Sequence, residues 1–327
     1  MLQPNDRIDD YVVDSMMDIN AAHERYRVTA PDGSTLMLDV LPVSSVGLTD
    51  RIRAANLIGL NHPNVRMIHD VVELEDTPGL ISDIPNGKTL REWMAEPNAT
   101  LRDSLLFRGI ASGIAFGQER GLLHLELRPG TVGVHEGPNG VPVAQIEGLG
   151  IASIIFAAMT DNLGGSVSKG GLSEPRHAAP EAIRKPHLAD SRADMYSLGC
   201  ILYELLTGKH PFAGLSYYDC YGAKRDETYA AVSEVNPAAG PMLSEIVTHL
   251  LRAEPDARIP SAKALLERLD QIQPPLAAAR PPTHDHPLAD VDKAQLLSGS
   301  YIVPPDADNA ARNAWTMYAV AVVVGLA

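Results

Sequence analysis

Short runs of alternating apolar and polar residues fill the first part of the chain and are separated by turn-forming residues. A period of two is typical of half-buried strands. It predicts strands at residues 11–17, 24–30, 35–41, 65–73 and 79–84, with a turn at Pro31-Asp32-Gly33. Residues 49–60 are predicted to form a helix, which Thr49 or Asp50 can cap at its N-terminus. The pattern therefore predicts a small, mainly β lobe with one long helix.

The composition is that of an acidic, folded protein. Hydrophobic residues make up 45% of the chain, and 41 acidic against 27 basic residues give a formal charge of −14. A charge of this sign disfavours nucleic acid as a partner. Cys200 lies in an apolar helical run, where a buried small residue is the simplest interpretation, and Cys200 and Cys220 lack the spacing of metal ligands. Both observations fit a reducing cytoplasm.

Seven short motifs follow one another along the chain. They are N-H-P-N at 61–64, H-L-E-L-R-P-G-T at 124–131, G-L-G at 148–150, A-P-E at 179–181, D-M-Y-S-L-G at 194–199, L-Y-E-L-L-T-G-K-H-P-F ending at Phe212, and E-P-D-A-R-I-P around Pro255 and Arg258. In this order they resemble the sequence of a protein kinase over about residues 11–273. One such motif is a weak signal, whereas the ordered set is specific.

The resemblance implies a bilobal protein kinase-like fold of the α+β class, with a small mainly β N-lobe containing one long helix and a larger α-helical C-lobe. Among protein kinases, the sequence resembles the bacterial Ser/Thr type. The expected organisation is an N-terminal tail at 1–10, the N-lobe at 11–86, the C-lobe at 87–273, a Pro/Ala-rich linker at 274–312 and a final apolar segment at 313–327.

Most of the family's catalytic positions carry other residues here. In the family motif H-R-D-L-x-x-x-N the Asp accepts the substrate's proton and the Asn holds magnesium. Those positions are Glu126 and Thr131 in this chain, and Leu125 stands at the Arg. Gly148 replaces the metal-binding Asp of D-F-G. Glu126 could still act as a base, although one extra methylene moves its carboxylate by about 1 Å and such misplacement can cost about a hundredfold in rate.

The resemblance also places unusual residues around the nucleotide. Asp18, Asn20 and His23 stand at the three glycines that cover the phosphates in the family, and Asp39 stands at the phosphate-binding lysine. The first lysine in the chain is Lys88. One unit-charge pair at 4 Å is worth about 4 kcal/mol at an effective dielectric of 20, and Asp reverses its sign. We therefore expect that Mg-ATP does not bind in the usual pose.

Arg53 lies nine residues before His62, at the helix glutamate that pairs with that lysine in the family. Asp39 and Arg53 are therefore predicted to form the same ion pair with its charges exchanged, which would hold the lobes together without nucleotide. The alternative is that both are separately solvated surface residues, because surface pairs are worth little.

The framework positions of the family are retained. By the resemblance, Asp194 accepts backbone hydrogen bonds beneath the loop at 124–131, and Glu181 pairs with Arg258. A retained framework with exchanged chemistry predicts a catalytically inactive pseudokinase, a non-enzyme without nucleotide, cofactor or metal. Such a domain would act as a signalling scaffold or allosteric module that binds protein partners, for example an active kinase or a membrane complex. Two alternatives stay open: an atypical or weakly active phosphotransferase in the remodelled cleft, and a small-molecule or peptide sensor.

The last part of the chain differs from the rest. Repeated prolines at 274–312 predict a flexible or extended linker. Residues 314–327 carry no charge and begin with Trp315 and Tyr318, as interfacial aromatics would. Spanning a bilayer takes about 20 apolar residues, so this run is interpreted as the start of a transmembrane helix, with a buried helix as the alternative. The expected localisation is a cytoplasmic domain anchored to the membrane through this helix.

Overall fold

One antiparallel sheet of six strands forms the N-lobe. The computed structural model describes residues 1–19, 24–41, 47–75, 77–96, 103–137, 140–161 and 176–272. The strands are β1 (Arg7–Ile8), β2 (Tyr11–Ile19), β3 (Glu24–Thr29), β4 (Thr35–Val40), β5 (Ile68–Leu74) and β6 (Thr77–Ser82). They are ordered β1-β2-β3-β4-β6-β5. All five predicted strands are present as β2 to β6, and the largest difference is a start at Ile68 instead of residue 65.

Alternating side chains of the sheet build its core. Tyr26 and Val28 on β3 and Leu38 on β4 are fully buried and pack with Ile81 of β6. Burying one such side chain stabilises the fold by roughly 1.5–3 kcal/mol. The alternation also fixes the register of the β3–β4 hairpin, in which Arg25 lies opposite Asp39. This cross-strand pair proves central to the site.

The N-lobe helix is much shorter than predicted. Helix α1 (Leu48–Ala54) covers seven residues, so the prediction of a helix over 49–60 is corrected. Asn56 takes a positive φ of 55°, a left-handed conformation that asparagine tolerates and that ends a helix. Arg53 therefore stands in the last turn of a short helix, not in the middle of a long one.

The C-lobe is mainly helical. Its helices are α2 (Leu90–Met94), α3 (Asp103–Gln118), α4 (Ile151–Asp161), α5 (Pro180–Arg184), α6 (Ser191–Thr207), α7 (Tyr217–Arg225), α8 (Val232–Val235), α9 (Gly240–Leu250) and α10 (Ala262–Asp270). Helix α6 is the centre of the largest core, and most of its residues are buried. The bilobal α+β prediction is confirmed.

A small sheet lies next to the C-lobe helices. Strands β7 (Lys88–Thr89), β8 (Val132–Glu136) and β9 (Pro142–Ile146) are antiparallel and follow the order β7-β8-β9. Strand β8 follows the loop at 124–131 directly, and β9 leads into Glu147 and Gly148. This hairpin therefore holds both segments in which the resemblance places catalytic chemistry.

Helix α4 begins one residue after Gly150 and packs against the N-lobe. Ile151 and Ala158 of α4 share a buried cluster with Leu48 and Ile52 of α1. These apolar side chains of the two helices are removed from water together, which stabilises the contact between α1 and α4. The chain after the G-L-G segment thus helps to fix the position of α1.

No helix among the described residues is long and apolar enough to cross a membrane. The predicted linker at 274–312 and the predicted transmembrane segment at 313–327 both lie outside the described residues. Asn20 and His23 also lie outside them, whereas Asp18 is on β2 with only its backbone described.

Candidate active site

Asp194 holds the backbone of the loop at 124–131. Its two carboxylate oxygens accept hydrogen bonds from the N–H groups of His124 and Leu125, each at 2.8 Å. Asp194 is buried, and burial raises its pKa to about 6 against the lowering effect of those two bonds. Leu125 takes a φ of 61°, an unfavourable conformation for a branched side chain that must be held by its surroundings. The framework role predicted for Asp194 is present.

Glu126 follows this fixed pair of residues directly. Its side chain is half-buried, whereas those of its neighbours Leu125 and Leu127 are buried in the C-lobe core. Burial on both sides leaves little freedom to the backbone at Glu126. A carboxylate is therefore presented from a rigid support at the family's catalytic-base position.

The two positions at which the family binds magnesium do not fit that ion. The Thr131 hydroxyl accepts from the Arg128 N–H at 3.1 Å and lies 3.0 Å from the Glu126 carbonyl oxygen, to which it can donate. The Thr131 hydroxyl therefore stabilises the loop at 124–131. Gly148 has a φ of 72° and offers no side chain. Magnesium prefers carboxylate oxygens, and neither position supplies one.

Four charged residues meet between the lobes and are called here the cleft charge cluster: Arg25, Asp39, Arg66 and Glu147. Arg25 Nε lies 3.3 Å from Asp39 Oδ2, and Arg25 Nη2 lies 3.2 Å from Glu147 Oε2. Arg66 Nη1 lies 2.9 Å from Glu147 Oε1. The side chain of Arg66 is only 6% exposed, and burial lowers its pKa. Glu147 therefore bridges two arginines.

The cluster connects the two sheets. Arg25 and Asp39 belong to β3 and β4 of the six-stranded sheet, whereas Glu147 follows β9 of the small sheet. A Cβ atom added to Gly133 of β8 would lie 2.9 Å from Arg66 Nη2, so any other residue there would require the guanidinium to shift. The cluster thus occupies the space between the N-lobe sheet and the hairpin that follows the catalytic loop.

The predicted pair of Asp39 with Arg53 is wrong. Arg53 Nε and Nη2 both donate to the Val71 carbonyl oxygen, at 3.0 and 2.6 Å, and its Nη1 lies 3.9 Å from Asp50. Asp39 instead contacts Arg25, its direct neighbour across the hairpin. Cross-strand neighbours are about 5 Å apart at Cβ, so the sheet places this partner on Asp39 without any help from the helix.

The positive charge that the sequence lacks at Asp39 is supplied from elsewhere. Two arginines and two carboxylates give the cleft charge cluster a formal charge of zero. The expected repulsion of a nucleotide by an uncompensated Asp39 is therefore corrected. Sequence reasoning missed Arg25, Arg66 and Glu147 as site residues, although the register of the β3–β4 hairpin, counted from Pro31-Asp32-Gly33, already places Arg25 opposite Asp39.

The predicted pair of Glu181 with Arg258 is present. Arg258 Nη1 and Nη2 donate to the two Glu181 oxygens at 2.6 and 2.8 Å. The remaining donors reach the carbonyl oxygens of Arg252, Arg192 and Ala253 at 2.8 Å each. Because the Arg258 side chain is fully buried, this network fixes the start of α5 to the segment before α10.

The sequence of this chain is similar to that of known protein kinases. The Protein kinase domain family matches residues 53–269, more than half of the chain. Serine/threonine-protein kinase PknB of Mycobacterium leprae is 27% identical over 278 residues, covering 82% of this chain and 43% of that protein. PknB of Mycolicibacterium smegmatis is 28% identical over 283 residues, covering 84% of this chain and 42% of that protein.

A third relative has the same description. Serine/threonine-protein kinase Pkn1 of Myxococcus xanthus is 28% identical over 217 residues, covering 66% of this chain and 30% of that protein. The chain thus spans less than half the length of these curated relatives. All three are named as kinases, which points to an enzyme, so the prediction of a catalytically inactive pseudokinase and scaffold is corrected. The chain belongs to the protein kinase domain family.

Proposed function

We propose that this chain is a serine/threonine-type protein kinase domain, which transfers a phosphoryl group from a nucleotide to a protein hydroxyl. The names of its relatives support this reaction class. The single observation that carries the proposal is the loop geometry: Asp194 binds the N–H groups of His124 and Leu125 and so fixes the backbone at Glu126.

Glu126 is the proposed general base. In the reaction the hydroxyl proton passes to its carboxylate, the bond from the acceptor oxygen to phosphorus forms, and the bond from phosphorus to the leaving nucleotide breaks. A positioned base contributes roughly 10²- to 10⁴-fold to such a step. The glutamate side chain is longer than that of aspartate, and a displacement of its carboxylate by about 1 Å lowers the reaction rate by about a hundredfold. A slow kinase is the expected outcome.

Arg25 and Arg66 are the proposed partners of the nucleotide's phosphates. Each already contacts Glu147, so a phosphate would share or replace that carboxylate. A guanidinium and a phosphate at 4 Å attract by about 4 kcal/mol at an effective dielectric of 20, and guanidinium forks suit phosphate oxygens. Two arginines can thus take over the charge compensation that a single lysine provides in the family.

Phosphoryl transfer to a mixture of serine- and threonine-containing peptides tests the proposal. The purified chain, Glu126→Gln and the control Glu136→Gln are incubated with γ-labelled nucleotides, and labelled peptide is counted. Glu136 is an exposed glutamate on β8, so Glu136→Gln makes the same chemical change outside the loop at 124–131. We expect slow labelling by the wild type and the control, and a loss of about ten- to a hundredfold in Glu126→Gln, the part of a base's contribution that remains after the displacement. Equal labelling by all three proteins would remove Glu126 from the mechanism.

We also propose that residues 314–327 attach the domain to a membrane. The support is their uncharged sequence with Trp315 and Tyr318 at its beginning. Co-sedimentation with neutral phosphatidylcholine vesicles, for the whole chain and for a version ending at residue 312, tests this proposal. Vesicle binding by the whole chain alone is expected, and identical behaviour of both proteins would contradict it.

A further inference from the structure

Two histidines and a glutamate meet in the C-lobe, away from the cleft. His177 precedes the A-P-E segment, Glu204 lies on α6, and His210 lies in the loop that follows α6. His177 Nε2 lies 2.8 Å from Glu204 Oε1, and His210 Nε2 lies 3.9 Å from the same oxygen. One ligand atom from each residue lies within 4.8 Å of the others. Three separate segments thus point nitrogen and oxygen donors at one place.

The group is buried, and two of its nitrogens lack a hydrogen-bond partner. The side chains of His177, Glu204 and His210 are 4%, 12% and 10% exposed. Within the described residues, His177 Nδ1 and His210 Nε2 make no hydrogen bond of good geometry. Buried polar atoms are normally satisfied, so the unpartnered His210 Nε2 close to the Glu204 carboxylate requires an explanation. A metal ion bound through the Nε2 atoms of both rings would be that partner.

We propose that His177, Glu204 and His210 form a zinc-binding site. Two imidazoles and one carboxylate are a ligand set that zinc uses, whereas magnesium and calcium prefer oxygen ligands alone. In a tetrahedral site with zinc–nitrogen bonds of about 2.0–2.1 Å, neighbouring ligand atoms are about 3.3 Å apart. The observed separations of 2.8 and 3.9 Å from Glu204 Oε1 lie on either side of that value. The three ligand atoms lie within 4.8 Å of one another, so side-chain shifts on the order of 1 Å would bring them to a zinc ion, and water would complete the site.

The protons of both rings must move when zinc binds. In the absence of metal, His210 Nδ1 accepts from the Phe212 N–H at 3.1 Å, so its Nε2 carries the proton. Binding through Nε2 transfers this proton to Nδ1 and gives up that one backbone bond. His177 changes tautomer in the same way, from Nε2–H toward Glu204 to Nδ1–H. Neither ring gains a charge, and zinc requires neutral imidazoles.

The charges around the site set its affinity. Burial, together with the nearby positive charges of Lys224 and Arg176, lowers the pKa of His210. Lys224 is buried and donates to the carbonyl oxygens on either side of His177, at 2.6 and 2.5 Å. A nearby ammonium opposes a divalent cation, and Glu204 supplies the compensating charge. We expect moderate rather than very tight zinc binding.

Titration with zinc measures the proposal directly, with cobalt as a spectroscopic probe because tetrahedral cobalt(II) absorbs visible light. The whole untagged chain is compared with His210→Ala and with the control His187→Ala, an exposed histidine. His284 and His286 are replaced in every protein, so that zinc bound there does not contribute. The wild type and the control should bind one equivalent, whereas His210→Ala should bind at least about tenfold more weakly and lose the cobalt band.

Glu204→Gln keeps the test valid if His210→Ala does not fold. It preserves the shape of the side chain and removes the charge, and should weaken zinc binding by a similar factor. Absence of zinc binding to the wild type, or equal affinity in the control and both variants, would overturn the proposal.

Discussion

Replacement of Glu147 by glutamine disrupts the cleft charge cluster at its most connected member. Glu147 contacts Arg66 at 2.9 Å and Arg25 at 3.2 Å, and its side chain is 12% exposed. At an effective dielectric of 20, each contact is worth about 5 kcal/mol before desolvation is subtracted. In Glu147→Gln, Arg66 stays buried without a carboxylate partner. Breaking a buried pair in this way costs about 3–5 kcal/mol of unfolding free energy.

A double-mutant cycle separates the ion pair from other effects of the substitution. Arg66→Met alone should also destabilise the protein, because it leaves Glu147 with one partner fewer. Glu147→Gln combined with Arg66→Met removes both charges, so neither is left buried without its partner, and the double variant should be destabilised by less than the sum of the two single variants. The coupling between the two sites should therefore reach about 2 kcal/mol or more.

Urea unfolding followed by far-UV circular dichroism measures this coupling. The matched control is Arg225→Met with Asp226→Asn, an ion pair whose side chains are 66% and 55% exposed. A pair at the surface should show a coupling of about 0–1 kcal/mol. If the Glu147–Arg66 cycle gave a coupling as small as the control, the cluster would not be the tight bridge between the sheets that its geometry implies.

Three further changes have defined outcomes in the same unfolding assay. Arg258→Met should cost at least about 2 kcal/mol because it leaves the half-buried Glu181 carboxylate and three carbonyl oxygens without their donor, and a cost no larger than that of Arg225→Met would contradict this. Gly133→Ala should cost about 1–3 kcal/mol by displacing Arg66, and a neutral result would contradict the close approach. Burial lowers the pKa of His124 from 6.5 to about 4, so its stabilising effect is complete above pH 6.5 and is lost as the pH falls. Between pH 7 and 5, His124→Phe should therefore lose about 2 kcal/mol less stability than the wild type, and parallel losses would contradict the shift.

Much of the fold follows from the sequence because its signals are local or periodic. The strands β2 to β6 are given by alternation of apolar residues, and the pairing of Glu181 with Arg258 follows from motifs in a known order. The C-terminal end of α1 could not be predicted from such local or periodic signals. It depends on the left-handed conformation of Asn56 and on apolar contacts with α4, a helix from far along the chain.

In the cleft too, contacts between residues that are distant in sequence could not be predicted from local patterns. Position by position, the resemblance identified each exchanged residue, including Glu126, Thr131 and Gly148. It assigned Asp39 the helix residue as a partner because that is the family's pairing, whereas the hairpin register supplies Arg25. Arg66 and Glu147 are distant in sequence and occupy positions that have no fixed role in the family motifs. Only three-dimensional packing brings them together.

Thermal unfolding with a panel of nucleoside triphosphates, with and without magnesium or manganese, tests the central claim most directly. The claim is that Arg25 and Arg66 let the cleft of this kinase domain accept a nucleotide although Asp39 replaces the lysine. At 100 times its dissociation constant, a bound nucleotide should raise the unfolding free energy by about 2.7 kcal/mol. The account predicts such a shift in the wild type and a smaller one in Arg25→Met. Unchanged unfolding with every nucleotide at millimolar concentration would contradict it.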